Sequence, residues 1–313
     1  MTEVVASGRA HGKIILFGEH AVVHGVPALV CGISHQLQAH ARRLSAGPSR
    51  LQLLQRHTDV ASQEELARAL AALLALAPRP PPLQLTVSGE LPPGVGLGFS
   101  ASAAVALARA VEATVGDPVD EHRVALRAHA WESIFHGNPS GVDVAAAMHS
   151  GCLHYVRGQQ PEPVDMGAEL LLVVGQTGIR SSTRKMVAAV TARLNDHPAD
   201  GAARLNSIAA LVAQGRAHIE AGRVAALGPL LVENQRQLTA LGASCDSIQR
   251  MCELATSAGA LGAKLTGAGG GGSVIALVDD VACAARVKQT WQQAGFMALT
   301  TKVGATPATT MTS

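Results

Sequence analysis

The sequence predicts an α/β (α+β) protein of two domains, on three observations. At 313 residues the chain has room for two cores, at roughly 100–200 residues per domain. Short apolar, β-branched runs alternate along it with helical stripes. A polar segment with two prolines, 157–167 (RGQQPEPVDMG), is followed by a fresh apolar strand. The expected division is therefore 1–166 and 167–313.

The elements follow in order. Lys13–Phe17 (KIILF) is apolar and β-branched, a strand that breaks at Gly18. Residues 18–32 carry glycines and a proline and read as a loop passing into another strand. Residues 35–58 are polar and rich in Arg and His, with little periodicity. Between 62 and 76, Leu66, Leu70, Leu73 and Leu74 share a helical stripe, with Ser62 and Glu65 as a capping box. The proline run from Pro78 to Pro82 stops that helix. Leu83, Leu85 and Val87 alternate with polar residues, as in a half-buried strand. Residues 92–99 form a glycine-rich turn into a small-residue helix, Ser100 to about Val115. Asp117-Pro118 caps the next helix, to about Phe135. A loop at 137–141 leads to a short helix with Asp143 near its N-terminus, then a strand around Cys152–Val156. After the linker come a strand at Leu170–Val174 and three or four helices within 182–258. A glycine-rich stretch, 267–272, runs into a strand at Val274–Val278. A helix near 280–294, a strand near 296–303 and a frayed tail from Gly304 complete the chain.

Composition excludes several classes. With 48% hydrophobic and 15% charged residues the chain is globular, not disordered. Aromatics are only 2%, too few for a single-stranded nucleic-acid surface built on stacking. A net charge of +2 lacks the footprint of a DNA binder. No apolar run reaches the roughly 18 residues of a membrane span, and the first residues lack a signal peptide's layout. Five cysteines form no CxxC pair, which fits reduced thiols and a cytoplasmic location. Of the 25 Lys and Arg residues only Lys13, Lys185, Lys264, Lys288 and Lys302 are lysine, so each retained lysine invites a reason.

Four features carry chemistry. Pro93, Gly94, Val95, Gly96, Leu97, Gly98, Phe99, Ser100, Ala101 and Ser102 lie between a strand and a helix. Glycines there let backbone approach a ligand, and the helix N-terminus directs N–H groups at an anion. A plain strand–helix turn with an N-cap serine explains the same residues. No GK[ST] follows, so this is not a Walker loop. The GxGxxG match at Gly267–Gly272 runs into a strand rather than opening a helix, which excludes a dinucleotide fold. That later stretch, after Lys264-Leu265-Thr266, is entropically costly and more consistent with close approach to a backbone or ligand than with a spacer. Glu132 and Asp143 flank the turn HGNPSGV, which can bring two carboxylates together, one for Mg²⁺ and one to receive a hydroxyl proton. An exposed glutamate and a helix-dipole aspartate are the alternative. Lys13, at the head of an apolar strand, suits a cation that stabilises a phosphoryl transition state, or else a strand-edge lysine.

Together these pieces resemble the GHMP kinase superfamily, and within it the mevalonate kinases. Gly12–Gly25 (GKIILFGEHAVVHG) is similar to the family's first motif, Pro93–Ser102 to its second and Lys264–Ser273 to its third. His136–Asp143 is similar to its HGNPSGVD segment, with Glu132 at the expected distance before it. The resemblance implies two α/β domains with the active site in the cleft between them, and ATP-dependent phosphorylation of the C5 hydroxyl of mevalonate. By position, Asp143 is the base and Lys13 orients it and stabilises the γ-phosphate. Ser100 and Glu132 hold Mg²⁺. The Pro93–Ser102 loop and, on the far side, Gly269 and Gly270 bind ATP. His20 and Glu19 face the substrate, with Arg180 and Thr183 on the substrate side, Arg180 toward the mevalonate carboxylate. Mevalonate and ATP are the implied partners, with no nucleic acid or membrane; a homodimer is left open. Three positions depart from the family pattern: His11 for proline, Phe99 for a serine, and Gln176 for an acidic or amide residue. The alternatives are another small-molecule kinase of the superfamily, such as one for phosphomevalonate or a related hydroxy acid, and a non-catalytic homologue that binds ATP or a metabolite.

Overall fold

The computed structural model describes residues 5–116, 118–137 and 139–304. Asp117, Asn138 and the tail from residue 305, which entered the sequence reading, lie outside the described residues. The fold is mixed α/β and divides into two compact units. Of the described residues, those up to Lys13, His35–Pro93 and Gly98–His149 form the first; Ile14–Ser34, Gly94–Leu97 and Ser150 onward form the second. The units interleave along the chain, whereas a division at 166/167 is a single cut.

Two long strands run through both units. β1 is Val5–Phe17, eight residues longer at its start than the apolar run KIILF. β2 is Ala28–Arg43 and pairs with β1. The polar stretch 35–58, whose periodicity assigned it no element, carries strands: the end of β2, then β3 (Arg50–Leu53) and the start of β4 (Arg56–Asp59). Their alternation is masked because the solvent face carries Arg, His and Gln, while Leu37, Ala39, Ala41, Leu51 and Leu53 are buried.

In the first unit α1 (Glu65–Ala75) buries Leu66, Leu70 and Leu73. Its N-cap is Glu64, and no side chain caps it. The expected Ser62–Glu65 capping box does not form, because the Ser62 hydroxyl accepts from the Glu64 N–H, two residues on, at 3.2 Å. β5 (Leu83–Gly89) pairs antiparallel with β2 and parallel with β3. α2 (Phe99–Val115) is nearly buried all round. Its alanines let it lie directly on β1: a Cβ at Gly8 would sit 2.3 Å from the Ala106 carbonyl oxygen. α3 (Glu121–His136) is capped by Asp120, whose Oδ1 accepts from the Arg123 N–H at 3.0 Å, in place of the expected Asp117-Pro118 cap. α4 (Val142–Met148) places Asp143 in its first turn.

In the second unit β6 (Gly151–Tyr155) pairs with the first half of β2 and with β7 (Glu162–Val164). The segment read as a linker therefore carries a strand, and Gly167 packs on Gly222, where a Cβ would meet the Gly222 nitrogen at 2.5 Å. β8 (Leu170–Gln176) is followed by four helices, α5 (Thr183–Asp196), α6 (Pro198–Glu220), α7 (Val224–Ala240) and α8 (Asp246–Ser257). β9 (Gly262–Thr266), not anticipated, precedes β10 (Ser273–Val278), α9 (Val281–Gln293) and β11 (Met297–Val303). β11, β8, β10 and β9 lie side by side in that order. Among the described residues no helix is long and apolar enough to cross a membrane.

Six histidines, His20, His24, His35, His129, His149 and His154, are held below the ordinary histidine value, in each case chiefly by burial. The unfolded chain therefore binds more protons than the folded one just below the unfolded value of about 6.5. The stability that neutral histidines confer is complete above that value and is lost as pH falls. We expect the urea midpoint to drop between about pH 7.5 and about pH 5.5, with proton uptake on unfolding. A flat midpoint over that window would refute this.

Candidate active site

Within the first unit, β1 delivers Lys13, which is 5% exposed despite its charge. Its Nζ lies 2.9 Å from Asp143 Oδ1 on α4. Lys13 is thus no strand-edge lysine. Asp143 keeps 41% of its side-chain surface exposed, so the pair joins a buried cation to an accessible carboxylate. Gly98 makes room for it: a Cβ there would lie 2.6 Å from Lys13 Cγ, and its φ of +73° suits glycine.

Ser100, in the first turn of α2, donates to Glu132 Oε1 on α3 at 2.5 Å. Trp131 Nε1 donates to the same serine oxygen at 3.3 Å, a contact with no sequence signal beyond its place beside Glu132. Glu132 is 3% exposed, and burial raises its carboxyl above the ordinary value; the Ser100 bond, His136 and Lys13 oppose that rise, and Asp143 adds to it. Ser102 Oγ donates to the His11 carbonyl at 2.5 Å, which ties the start of α2 to β1 two residues before Lys13. The four residues singled out, Lys13, Ser100, Glu132 and Asp143, are thereby brought together.

The start of α2 has Gly98 as N-cap, no side-chain cap and no acid in its first turn. Its first N–H groups and positive dipole end suit an anion. Phe99 is its first residue and is half-buried.

In the second unit, Gly94 and Gly96 have φ of +76° and +77° and open space where a Cβ would stand. The loop between them is pinned by Ser273 Oγ, which donates to the Val95 carbonyl. The later glycine stretch packs on backbone. A Cβ at Gly269 would sit 1.9 Å from the Ala243 oxygen, and one at Gly271 2.6 Å from the Ile179 oxygen. At Gly270 it would meet Met186 Sδ at 2.6 Å.

Glu19 and His20 lie in this unit as well. Glu19 is fully buried, and its Oε1 is bonded by Lys264 Nζ rather than presented at a surface. The Lys264 pairing was missed; the scarcity of lysine was its only signal. His20 is 5% exposed, and its Nε2 lies 2.8 Å from the Ala268 carbonyl oxygen. That oxygen only accepts, so Nε2 carries the proton and Nδ1 a lone pair. The backbone at His20 (φ 59°, ψ −48°) closes a three-residue turn, with the Ala21 N–H bonded to the Glu19 oxygen at 2.6 Å. This is the rare, strained form of γ-turn, at a cost of about 1–3 kcal/mol. Arg180 and Thr183 are exposed, in the approach to and at the first residue of α5.

Two family models match the chain, GHMP kinases N terminal domain over residues 64–151 and GHMP kinases C terminal over 210–296. The mevalonate kinase of Aeropyrum pernix is 37% identical over 87% of this chain and 88% of its own length. That of Thermococcus sibiricus is 33% identical over 96% of both. Among solved structures, L. major mevalonate kinase in complex with R-mevalonate matches with a TM-score of 0.89 and 28% identity over 98% of both chains.

Proposed function

The chain belongs to the mevalonate kinases of the GHMP kinase superfamily, and from that membership we propose that it transfers the γ-phosphoryl group of ATP to the C5 hydroxyl of mevalonate, giving mevalonate 5-phosphate and ADP. The observation that carries the mechanism is the Lys13–Asp143 pair at 2.9 Å, beside Ser100 and Glu132.

Asp143 accepts the hydroxyl proton as the oxygen attacks phosphorus. Lys13 fixes that carboxylate through Oδ1 and brings positive charge to the transferring group. Phosphoryl transfer asks little covalent chemistry of a protein, so positioning and electrostatics supply the acceleration. The N-terminus of α2 and the Pro93–Ser102 loop receive the phosphates through backbone N–H groups, with open space at Gly94 and Gly96. Gly269 and Gly270 act by keeping their own loop closely packed.

Ser100 and Glu132 fit Mg²⁺. Both offer oxygen, and their oxygens already converge at 2.5 Å. Ser100 and Glu132 would hold the ion, which would supply positive charge to the phosphates during transfer. Ser100→Ala is expected to raise the Mg²⁺ concentration for half-maximal rate severalfold. An unchanged Mg²⁺ titration would remove Ser100 from the metal.

His20 serves the acceptor substrate as a neutral hydrogen-bond acceptor, and exposed Arg180 is suited to its carboxylate. The five thiols, all free, fit a cytoplasmic enzyme.

The deciding experiment is ADP release with Mg²⁺–ATP against mevalonate, phosphomevalonate, galactose, homoserine and no acceptor. Mevalonate-dependent ADP with a phosphomonoester product is the expected result. ADP with a different acceptor alone, or none from protein that binds ATP, would overturn the substrate or the activity respectively.

A further inference from the structure

Three links from β9 and its exit hold the end of β1. Thr266 Oγ1 accepts from the Ile15 N–H at 2.9 Å and donates to the Ile15 oxygen at 3.1 Å. Lys264 Nζ donates to Glu19 Oε1, and also to the Leu265 oxygen at 2.6 Å. The Ala268 oxygen accepts from His20 Nε2. Residues 264 and 266 alternate along one strand and so share a face. Lys264 is completely buried, a costly place for an ammonium group unless it is paired. Its partner, Glu19, is the first residue of the strained turn centred on His20. Strained backbone of this kind persists only where its surroundings over-determine it. What the turn presents is His20 Nδ1, buried and without a hydrogen-bond partner among the described residues.

We infer that Lys264 is a positioning residue: through Glu19 it holds the γ-turn at His20, so that Nδ1 faces the acceptor substrate as a hydrogen-bond acceptor for a hydroxyl group. This rests on the proposed kinase reaction for the identity of that substrate. The Ala268 bond fixes which nitrogen is protonated, and the Lys264–Glu19 pair fixes where the ring stands. A neutral ring with an open acceptor selects a hydroxyl donor and gives nothing to a carboxylate.

Lys264→Met alone strands a buried carboxylate and is expected to fold poorly. The informative protein is Lys264→Met/Glu19→Gln, with Glu19→Gln as its control. The full-length double variant should keep a kcat within about threefold of the parent and raise the KM for mevalonate about tenfold, the loss of one hydrogen bond. The KM for ATP should change less than about threefold. His20→Ala should raise the mevalonate KM by a similar factor and add little in the double-variant background, since both act through one contact. Multiplicative effects, or equal losses for ATP and mevalonate, would overturn the assignment.

A second readout needs no turnover. With ¹⁵N-labelled histidine, the His20 signals, assigned by their loss in His20→Gln, should show the Nε2–H tautomer in the parent and a mixture in the double variant. An unchanged tautomer there would refute the positioning role. A parent that releases no mevalonate-dependent ADP, yet shows the tautomer shift, would overturn the substrate and leave the Lys264 assignment standing.

Discussion

Asp143→Asn is expected to lower turnover by about 10²–10⁴-fold while leaving ATP affinity within a few-fold of the parent. The amide keeps the size of the carboxylate and its place in the first turn of α4. It cannot accept the hydroxyl proton, and it offers Lys13 a dipole in place of a charge. The α2 N-terminus and the Gly94–Gly98 loop, the proposed phosphate site, are untouched. Steady-state kcat at saturating substrates and calorimetric ATP binding separate the two effects. Turnover near that of the parent would remove Asp143 from the mechanism. Equal loss of ATP binding would mean that its role is structural, through Lys13.

The second large effect is on stability. Arg127→Met is expected to destabilise the first unit by about 3–5 kcal/mol. Arg127 and Glu112 are both fully buried, with Nε 2.5 Å from Oε1. Nη1 and Nη2 donate to the carbonyls of Leu73 and Pro78, each at 2.8 Å. One guanidinium thus joins α1, α2, α3 and the proline run after α1. Removing it leaves those two carbonyls without this donor and leaves Glu112 only the half-exposed Arg123, at 2.7 Å. The chain has two tryptophans, Trp131 in the first unit and Trp291 in the second. Urea unfolding followed in a Trp291→Phe background should show an earlier Trp131 transition. Replacing both partners, Arg127→Met/Glu112→Leu, should restore part of the loss. A Trp131 midpoint unmoved by Arg127→Met would refute the pair's role.

These two cases mark how far the sequence could be read. Glycine-rich turns and a lysine at the head of an apolar strand are local signals that drew attention to Lys13, Ser100, Glu132 and Asp143. Those signals left plain structural readings open, and it was the order of the motifs and their resemblance to the family that selected the four. Arg127 and Glu112 gave no such signal. Each sits on a helix where a charged residue is ordinary, and only the packing of α2 on α3 makes them a buried pair. The strands of 35–58 were hidden for a related reason, since their outer face is charged and only the sheet shows which residues alternate inward. β9 was passed over because Gly262–Thr266 is short and contains a lysine. Its burial depends on a carboxylate 245 residues away.

By itself the sequence determined the α/β class, the order of most elements, the glycine turns and the family. These rest on local periodicity, on backbone that needs glycine, and on motif order. Tertiary structure alone decided two buried ion pairs, Lys264 with Glu19 and Arg127 with Glu112, and it showed that Lys13, which the resemblance had already set beside Asp143, is buried. It also decided that the segment read as a linker pairs as strand β7, and that the compact units interleave along the chain. The physical reason is that an ion pair or a strand pairing is a property of two segments brought together, and neither segment carries the other's coordinates in its own residues.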